Sequence, residues 1–241
     1  VIEIRTLSSL AEFSEALHLQ QSIWHFADIE LLPLRFFVVA SKVGGQVFGA
    51  YDGAHMVGFC LAVPGLKPDG FRYLHSHMLG VLPEYRDAGI GRRLKLCQRE
   101  QALARGLELV EWTFDPLEIK NAFFNIARLG AIVRHYQENE YGNTSSPLHG
   151  GLPTDRCIAE WWIASPRVEA VIAGEACRGA VEERIPVPAG IDRLRREDPA
   201  RARQIQEANA GRFRQLFQSG LAVIGFEQTE TEGVYLLGRW P

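Results

Sequence analysis

His75 and His77 stand two residues apart in the segment from Tyr73 to Val81, which reads Tyr-Leu-His-Ser-His-Met-Leu-Gly-Val. Residues two apart on a strand project to one face, so both imidazoles are expected on the face that also carries Leu79 and Val81. Imidazoles titrate near neutrality, and such a pair can accept a proton from an amine. One or both can equally be hydrogen-bonded histidines of core or surface. A zinc site would need one or two further ligands, which the sequence does not place. Glu111 alternates with Thr113 and Asp115 in the next apolar segment. A carboxylate in a central strand needs a partner or a purpose, so Glu111 is either a second candidate base or half of an ion pair with an arginine. Further on, Asp155 and Arg156 place a carboxylate and a guanidinium side by side before Trp161-Trp162. Arg156 can clamp a ligand carboxylate through paired hydrogen bonds, or either residue can belong to a structural salt bridge.

A second constellation is Arg86-Asp87-Ala88-Gly89-Ile90-Gly91-Arg92, between the histidine strand and a basic amphipathic helix. Two glycines let main-chain N–H groups approach a ligand closely. A helix opening there presents roughly half a positive charge, which makes the loop a place for phosphate. Arg86, Arg92, Arg93 and Lys95 add positive charge locally in a chain whose net charge is −3. Local basicity suits a small phosphorylated ligand better than a polyanion, and no nucleic-acid partner is expected. A P-loop would need Lys and Ser or Thr after the second glycine, where Arg92 and Arg93 stand. A dinucleotide fingerprint would need a third glycine at position 94, which is Leu.

The elements that must position these residues follow from periodicity. Alternation predicts strands over 1–7, 46–51, 55–63, 73–81, 107–114, 131–136 and 157–164, with an Asp52-Gly53 hairpin turn. Helical spacing predicts 10–24, opened by a Ser9 to Glu12 capping box, then 33–43 with Pro33 as its first residue, 92–105 and 117–129. Residues 138–154 read as a long connection rich in glycine and proline. Ser165-Pro166 marks a boundary between a domain over 1–165 and a C-terminal extension over 166–241. The extension reads as a strand at 184–188, a helix from Asp198-Pro199, and strands at 221–226 and 234–237. The Arg201, Arg203, Arg212 and Arg214 series reads as a solvated helix face. The fold class is α/β (α+β): a mixed, mostly antiparallel central sheet with helices on both faces, plus a small C-terminal α/β extension.

With 241 residues, 46% hydrophobic and 23% charged, the chain can bury a substantial core. No apolar run approaches the roughly 20 residues that cross a bilayer, so no membrane partner is expected. The four cysteines, 60, 97, 157 and 177, form no CxxC pair and are expected as free thiols in a reducing cytoplasm. No signal-peptide pattern opens the chain, and Val1 in place of Met points to a trimmed or partial N-terminus.

The order strand, RxxGxG, helix, strand, helix, with Leu79 and Val81 ahead of Arg86 to Gly91, resembles the GCN5-related N-acetyltransferase (GNAT) superfamily over residues 1–165. The resemblance implies that Arg86, Asp87, Ala88, Gly89, Ile90, Gly91 and Arg92 hold the pyrophosphate of an acyl-CoA. It implies that Leu79, Gly80 and Val81 hold the pantetheine arm where two strands splay apart. His75-x-His77-x-Leu79-x-Val81 resembles the strand of serotonin N-acetyltransferase, where paired histidines relay the amine proton. Asn121-Ala122 and Leu129-Gly130 match the superfamily's Asn-Ala-Tyr-Gly pattern, which places Asn121 with the cofactor. Ile126, however, stands where a tyrosine usually protonates the leaving thiolate. Asn125, Tyr136 or Tyr141 is then the implied substitute, or the thiolate leaves unprotonated, since a thiol of pKa roughly 8.5 is a fair leaving group. The stretches 112–125 and 151–156 and the C-terminal tail resemble a longer branch of predicted acetyltransferases, some of them thought to be succinyl-CoA-dependent acylases of amino acids.

The expectation is an N-acyltransferase that moves an acetyl or succinyl group from acetyl-CoA or succinyl-CoA directly to a primary amine of a small molecule. Asp155, Arg156 and Tyr141 contact the acceptor, no metal takes part, and the oligomeric state is left open. The alternative is an acyl-CoA-binding sensory module of the same fold without turnover.

Overall fold

The computed structural model describes residues 1–142, 150–175, 177 and 179–240. By internal contacts the chain divides into Val1–Glu111 and Trp112–Pro241.

The first unit comprises β1 (Ile2–Thr6), α1 (Leu10–Trp24), α2 (Leu34–Lys42), β2 (Gln46–Asp52), β3 (His55–Leu66), β4 (Arg72–Val81), α3 (Ile90–Ala104) and the start of β5 (Leu109–Phe114). Ser9 caps α1: its hydroxyl accepts from the Glu12 amide, and Glu12 accepts from the Ser9 amide at 2.9 Å. Backbone N–H donation from Ser8 leads the interactions that hold the Glu12 carboxyl at about 2. Pro33 is the N-cap of α2 rather than its first helical residue. β3 runs on to Leu66, because residues 64–66 pair with β4 where the sequence reads as a loop.

Strands β1 to β4 pair antiparallel in sequence order, and β5 joins β4 in parallel through Leu74↔Val110 and His75↔Glu111. Successive side chains on β3 face opposite ways. Phe59 meets Phe37 of α2 and Trp24 of α1, with ring centroids 6.1 and 5.9 Å apart. Its neighbour Cys60 accepts from the Gln98 amide of α3 at 3.2 Å. Helices α1 and α2 therefore cover one face of the sheet, and α3 covers the other.

The second unit contains the short α4 (Ile119–Ala122) running into a π-helical turn (Phe123–Arg128), then β6 (Ile132–Gln137), β7 (Arg156–Trp162), α5 (Pro166–Ile172), β8 (Glu183–Pro188), α6 (Ile191–Glu197), α7 (Pro199–Gln218), β9 (Leu221–Gln228) and β10 (Glu232–Arg239). Its strands lie in the order β7-β6-β9-β10-β8, each pair antiparallel. Phe213 of α7 stacks on Tyr136 at 5.4 Å and meets Tyr235 edge-on at 5.1 Å. Trp161 is fully buried and donates its indole N–H to the Leu129 carbonyl at 2.7 Å. Ser165-Pro166, read from sequence as a boundary, is the N-cap and first turn of α5 inside this unit. Helix α6, unpredicted, begins after Gly190. Part of the long connection, residues 143–149, lies outside the described residues.

Candidate active site

The register of β4 against β3 decides where the histidines point. Leu61 pairs with Met78 and Ala62 with Ser76, which leaves His77 as the extra residue of a β-bulge. The uniform alternation read from sequence fails there. His75 is opposite Val63, and His77 lies 6.1 Å from Phe36 of α2, so both imidazoles stay on the α1/α2 side. Past the bulge the phase flips. Leu79 is opposite Cys60, on the α3 side, while Gly80 is on the α1 side. Leu79 and Val81 thus do not share the histidines' face, a correction to the expectation. Gly80 is required by packing: a Cβ there would sit 2.7 Å from Trp24 Cη2 and 2.8 Å from Ile23 Cδ1.

The two imidazoles are 5.9 Å apart, centroid to centroid. Burial leads in lowering His75 to about 4, with His77, Lys95 and Lys67 adding positive charge nearby. Burial also lowers His77, although that residue keeps one side open to solvent. Both rings are therefore neutral at pH 7 and able to accept a proton. Glu111, the cross-strand partner of His75, is buried and held by Lys67, whose Nζ reaches its two oxygens at 2.8 and 2.6 Å. The partner is a lysine from the β3–β4 loop rather than the arginine considered from sequence. Lys67 also lies 4.6 Å from the centre of the Tyr73 ring.

After β4 the chain makes a 3-10 turn (Pro83–Tyr85) and enters the glycine loop. Asp87 and Gly89 adopt left-handed φ of 63° and 75°, and Gly89 is the N-cap of α3. The first helical bond runs from Arg93 N to Gly89 O at 3.1 Å, so the amides of Ile90 and Gly91 project from the end of the helix. A Cβ on Gly89 would meet no atom within 4 Å, so the space outside this turn is open. Arg86, Asp87, Ala88 and Gly89 are exposed, and Arg92 is half-buried. Two of the four expected cations have other duties: Arg93 donates to the Ile2 carbonyl at 2.8 Å, and Lys95 turns inward beneath the sheet. Arg86 Nε donates to Val81 O at 3.2 Å, which ties the loop to the end of β4.

The remaining candidates lie in the second unit. Asn121 is exposed on α4, and Asn125 is buried in the π-helical turn. In that turn Leu129 N bonds back five residues to Phe124 O, while Gly130 N bonds back four to Ile126 O at 3.2 Å, so the count from Gly130 to Ile126 follows a real helical bond. Ile126, reached by that count, is fully buried. Tyr136 and Asp155, expected in separate roles, bond to each other: the phenol donates to Asp155 Oδ2 at 2.6 Å. Burial, then this carboxylate, pushes the phenol far above its ordinary value. Asp155 also accepts from the Asn139 amide at 3.0 Å. Arg156 lies 3.9 Å from Asp115 and 5.3 Å from the centre of the Tyr141 ring, while the Tyr141 hydroxyl shares a 2.8 Å hydrogen bond with Thr113. Asp115 is further paired with the buried Arg195 of α6 at 2.7 Å, a partner 80 positions away that no local signal indicates. Among the described residues, no group of three or more His, Cys, Asp or Glu is placed to hold a metal.

A strand with a bulge at its histidines, a left-handed glycine at a helix N-terminus and a parallel neighbour strand define an α/β scaffold with a helix end suited to an anion. The family model described as "Acetyltransferase (GNAT) family" matches residues 7–128, half of the chain, and the chain belongs to that family. A search of curated proteins found no match. Solved structures share the fold at low identity. The ribosomal-protein-S18-alanine N-acetyltransferase of Escherichia coli superposes with a TM-score of 0.54 at 17% identity, covering 68% of this chain and 96% of that one. The Salmonella typhimurium protein yncA, solved with its cofactor acetyl-CoA, gives 0.53 at 14% identity, covering 68% and 97%. Arabidopsis thaliana Naa50, in complex with a bisubstrate analogue, gives 0.51 at 15%, covering 66% and 97%.

Proposed function

We propose that the protein is an acyl-CoA-dependent N-acyltransferase that moves an acetyl or succinyl group to the primary amine of a small molecule such as an amino acid. The observation that carries the reading is the left-handed Gly89 at the N-terminus of α3, with open space outside it, inside the segment matched by the acetyltransferase family model. The donor chemistry accords with yncA, whose structure holds acetyl-CoA.

The residues fit the role in three ways. The amides of Ile90 and Gly91, with Arg86 and Arg92 beside them, suit a pyrophosphate at a helix end. The backbone of Leu79, Gly80 and Val81 follows the point where the β4–β5 ladder ends among the described residues of the first unit, and it has the polar groups to bind an amide-rich arm. His75 or His77, neutral at pH 7, accepts the proton that a lysine-type amine, with a pKa of roughly 10, must lose before it can attack a thioester. Acyl-CoA supplies that thioester. Glu111 is the weaker candidate base, since its two oxygens already accept from Lys67. Arg156 and Tyr141 are the proposed acceptor contacts, Asp155 holding the first turn after β6 through Asn139, and Asn121 is assigned to the cofactor. Residues 1–165 are proposed as the family domain and 166–241 as its extension. The solved structures cover 66–68% of the chain, about the share that 1–165 represents. Cys60, Cys97, Cys157 and Cys177 are free thiols, which suits a reducing, cytoplasmic setting.

A second reading, an acyl-CoA-binding module without turnover, is favoured by Ile126, which is fully buried where a tyrosine acid is usual. Calorimetric titration with acetyl-CoA and succinyl-CoA, with Gly89→Glu as control, tests the donor site. Thiol release over a panel of amines then separates enzyme from module. Binding of neither thioester by the parent protein overturns both readings.

A further inference from the structure

Beneath the β4 bulge, on the face away from the histidines, lies a buried polar cluster that the proposed reaction does not use. Lys95 of α3 is 2% exposed. Its Nζ donates to Ser76 Oγ at 2.7 Å and to Gln98 Oε1 at 3.1 Å. Gln98 in turn donates to Cys60 Sγ at 3.2 Å, and Gln46 Nε2 donates to the Gln98 carbonyl at 3.2 Å. Ser76, Gln98 and Gln46 are all buried. The helix spends inward positions on this cluster: Ile90, Leu94 and Ala102 are apolar, and Lys95 and Gln98 sit among them. Burying an ammonium costs several kcal/mol unless its surroundings repay it, and an apolar side chain of the same length would fill the space without that cost. The cluster touches β4 at Ser76, between His75 and His77 and immediately before the bulge.

We propose that Lys95 is a positioning residue for this site: from under the sheet its ammonium fixes Ser76, and Ser76 fixes the bulge that keeps both His75 and His77 on the α1/α2 side. The inference rests on the reading of those histidines as the acceptors of the amine proton. A bulge lacks the full ladder that holds a regular strand, so its conformation depends on such side-chain anchors. The same ammonium opposes a second positive charge across the strand. The groups facing His75 are His77 on its own strand, Glu111 from β5, Lys67 from the β3–β4 loop and Lys95 from α3. Lys67 is paired with Glu111, and Lys95 donates to Ser76 and Gln98.

The test uses the full chain with Lys95→Met and, separately, Ser76→Ala, which cuts the contact from the strand side and leaves the ammonium in place. Histidine side-chain titration by NMR reads the imidazoles without catalysis. In Lys95→Met the His75 midpoint is expected to move up from about 4 toward the ordinary 6.5, stopping short of it because burial, His77 and Lys67 remain. In both variants kcat for acyl transfer is expected to fall about tenfold with KM for acyl-CoA unchanged, the cost of a base displaced by a fraction of an ångström. The acid limb of the rate profile in Lys95→Met should move with the NMR midpoint. A lower melting temperature with unchanged imidazole titration and unchanged kcat in either variant would mean that the cluster is only structural, and overturns the proposal. His75→Gln and His77→Gln test the underlying reading separately. If both keep full activity the histidines are not the base, while the NMR titration still reports whether Lys95 acts on them. Should Lys95→Met fail to fold, Ser76→Ala alone decides: wild-type kcat and unmoved histidine resonances in it refute the anchoring role.

Discussion

Lys67 Nζ reaches both carboxylate oxygens of Glu111, and Glu111 stands opposite His75 in the β4–β5 ladder. The carboxylate beside the candidate base already accepts from an ammonium on both oxygens, so it competes poorly for the amine proton. Lys67 is 37% exposed and Glu111 8%, so removing the lysine strands a buried charge, whereas removing the acid lets the lysine turn to water. Lys67→Met is expected to destabilise the protein by about 2 kcal/mol, and Glu111→Gln by less. Urea unfolding of the two variants checks the order. Glu111→Gln that keeps its turnover would remove Glu111 from the list of bases, and a loss of a thousandfold would restore it.

The pH dependence of stability should report His75. Its folded value, about 4, lies below the ordinary 6.5 because burial disfavours the cation. Between those values the unfolded chain binds the proton and the folded one does not, so acid favours unfolding. His75 therefore contributes a loss of stability as pH falls from about 6.5 to about 4, and no dependence above 7. As pH falls from about 6.5 to about 4 the melting temperature of the parent should drop more steeply than that of His75→Gln, which lacks the penalty of charging. Parallel curves would mean that the imidazole is not desolvated in solution.

Local signals in the sequence were enough to place the capping box at Ser9 and Glu12, the Asp52-Gly53 hairpin and the glycine loop, because each depends on residues within one turn. The histidines' shared face was also legible, but its extension to Leu79 and Val81 was not. Alternation assumes an unbroken register, and nothing in Ser76-His77-Met78 announces a bulge. Lys67 and Glu111 are 44 positions apart, and only the folded sheet brings them together. Lys95 offered a faint signal, standing at helical spacing from buried Gln98 and Ala102, yet a lysine beside Arg92 and Arg93 reads as one more surface cation. Asn125, Tyr136, Asp155 and Arg156 were identified as residues with chemistry, and the bond between Tyr136 and Asp155 became visible only once β6 and β7 were paired.

Tyr136→Phe separates structure from chemistry in the second unit. The phenol donates to a buried carboxylate at 2.6 Å and stacks on Phe213, so the hydroxyl alone is at issue. Its loss leaves Asp155 with the Asn139 amide but short of one charge-assisted bond, at a cost of about 2 kcal/mol. If Tyr136 donates a proton to the departing thiolate, kcat also falls and the alkaline limb of its profile disappears. A stability loss with kcat intact would identify the Tyr136–Asp155 pair as scaffold for the turn at Asn139.

Gly89 allows strain and ligand blockade to be told apart. Its φ of 75° lies in the left-handed region, where a residue with a Cβ pays roughly 1 kcal/mol, and no atom lies within 4 Å to add a clash. Gly89→Ala is therefore expected to lower stability by about 1 kcal/mol while weakening acyl-CoA only modestly, because a methyl group extends little into the open space. Gly89→Glu adds the same strain plus a carboxylate at the end of α3, where the amides of Ile90 and Gly91 would otherwise meet pyrophosphate. Its binding loss should exceed that of Gly89→Ala by more than about tenfold, with nearly equal melting temperatures. Equal binding losses in the two variants would mean that the backbone turn alone matters and that no anion sits at this helix end. Equal retention would move the acyl-CoA site away from the loop altogether.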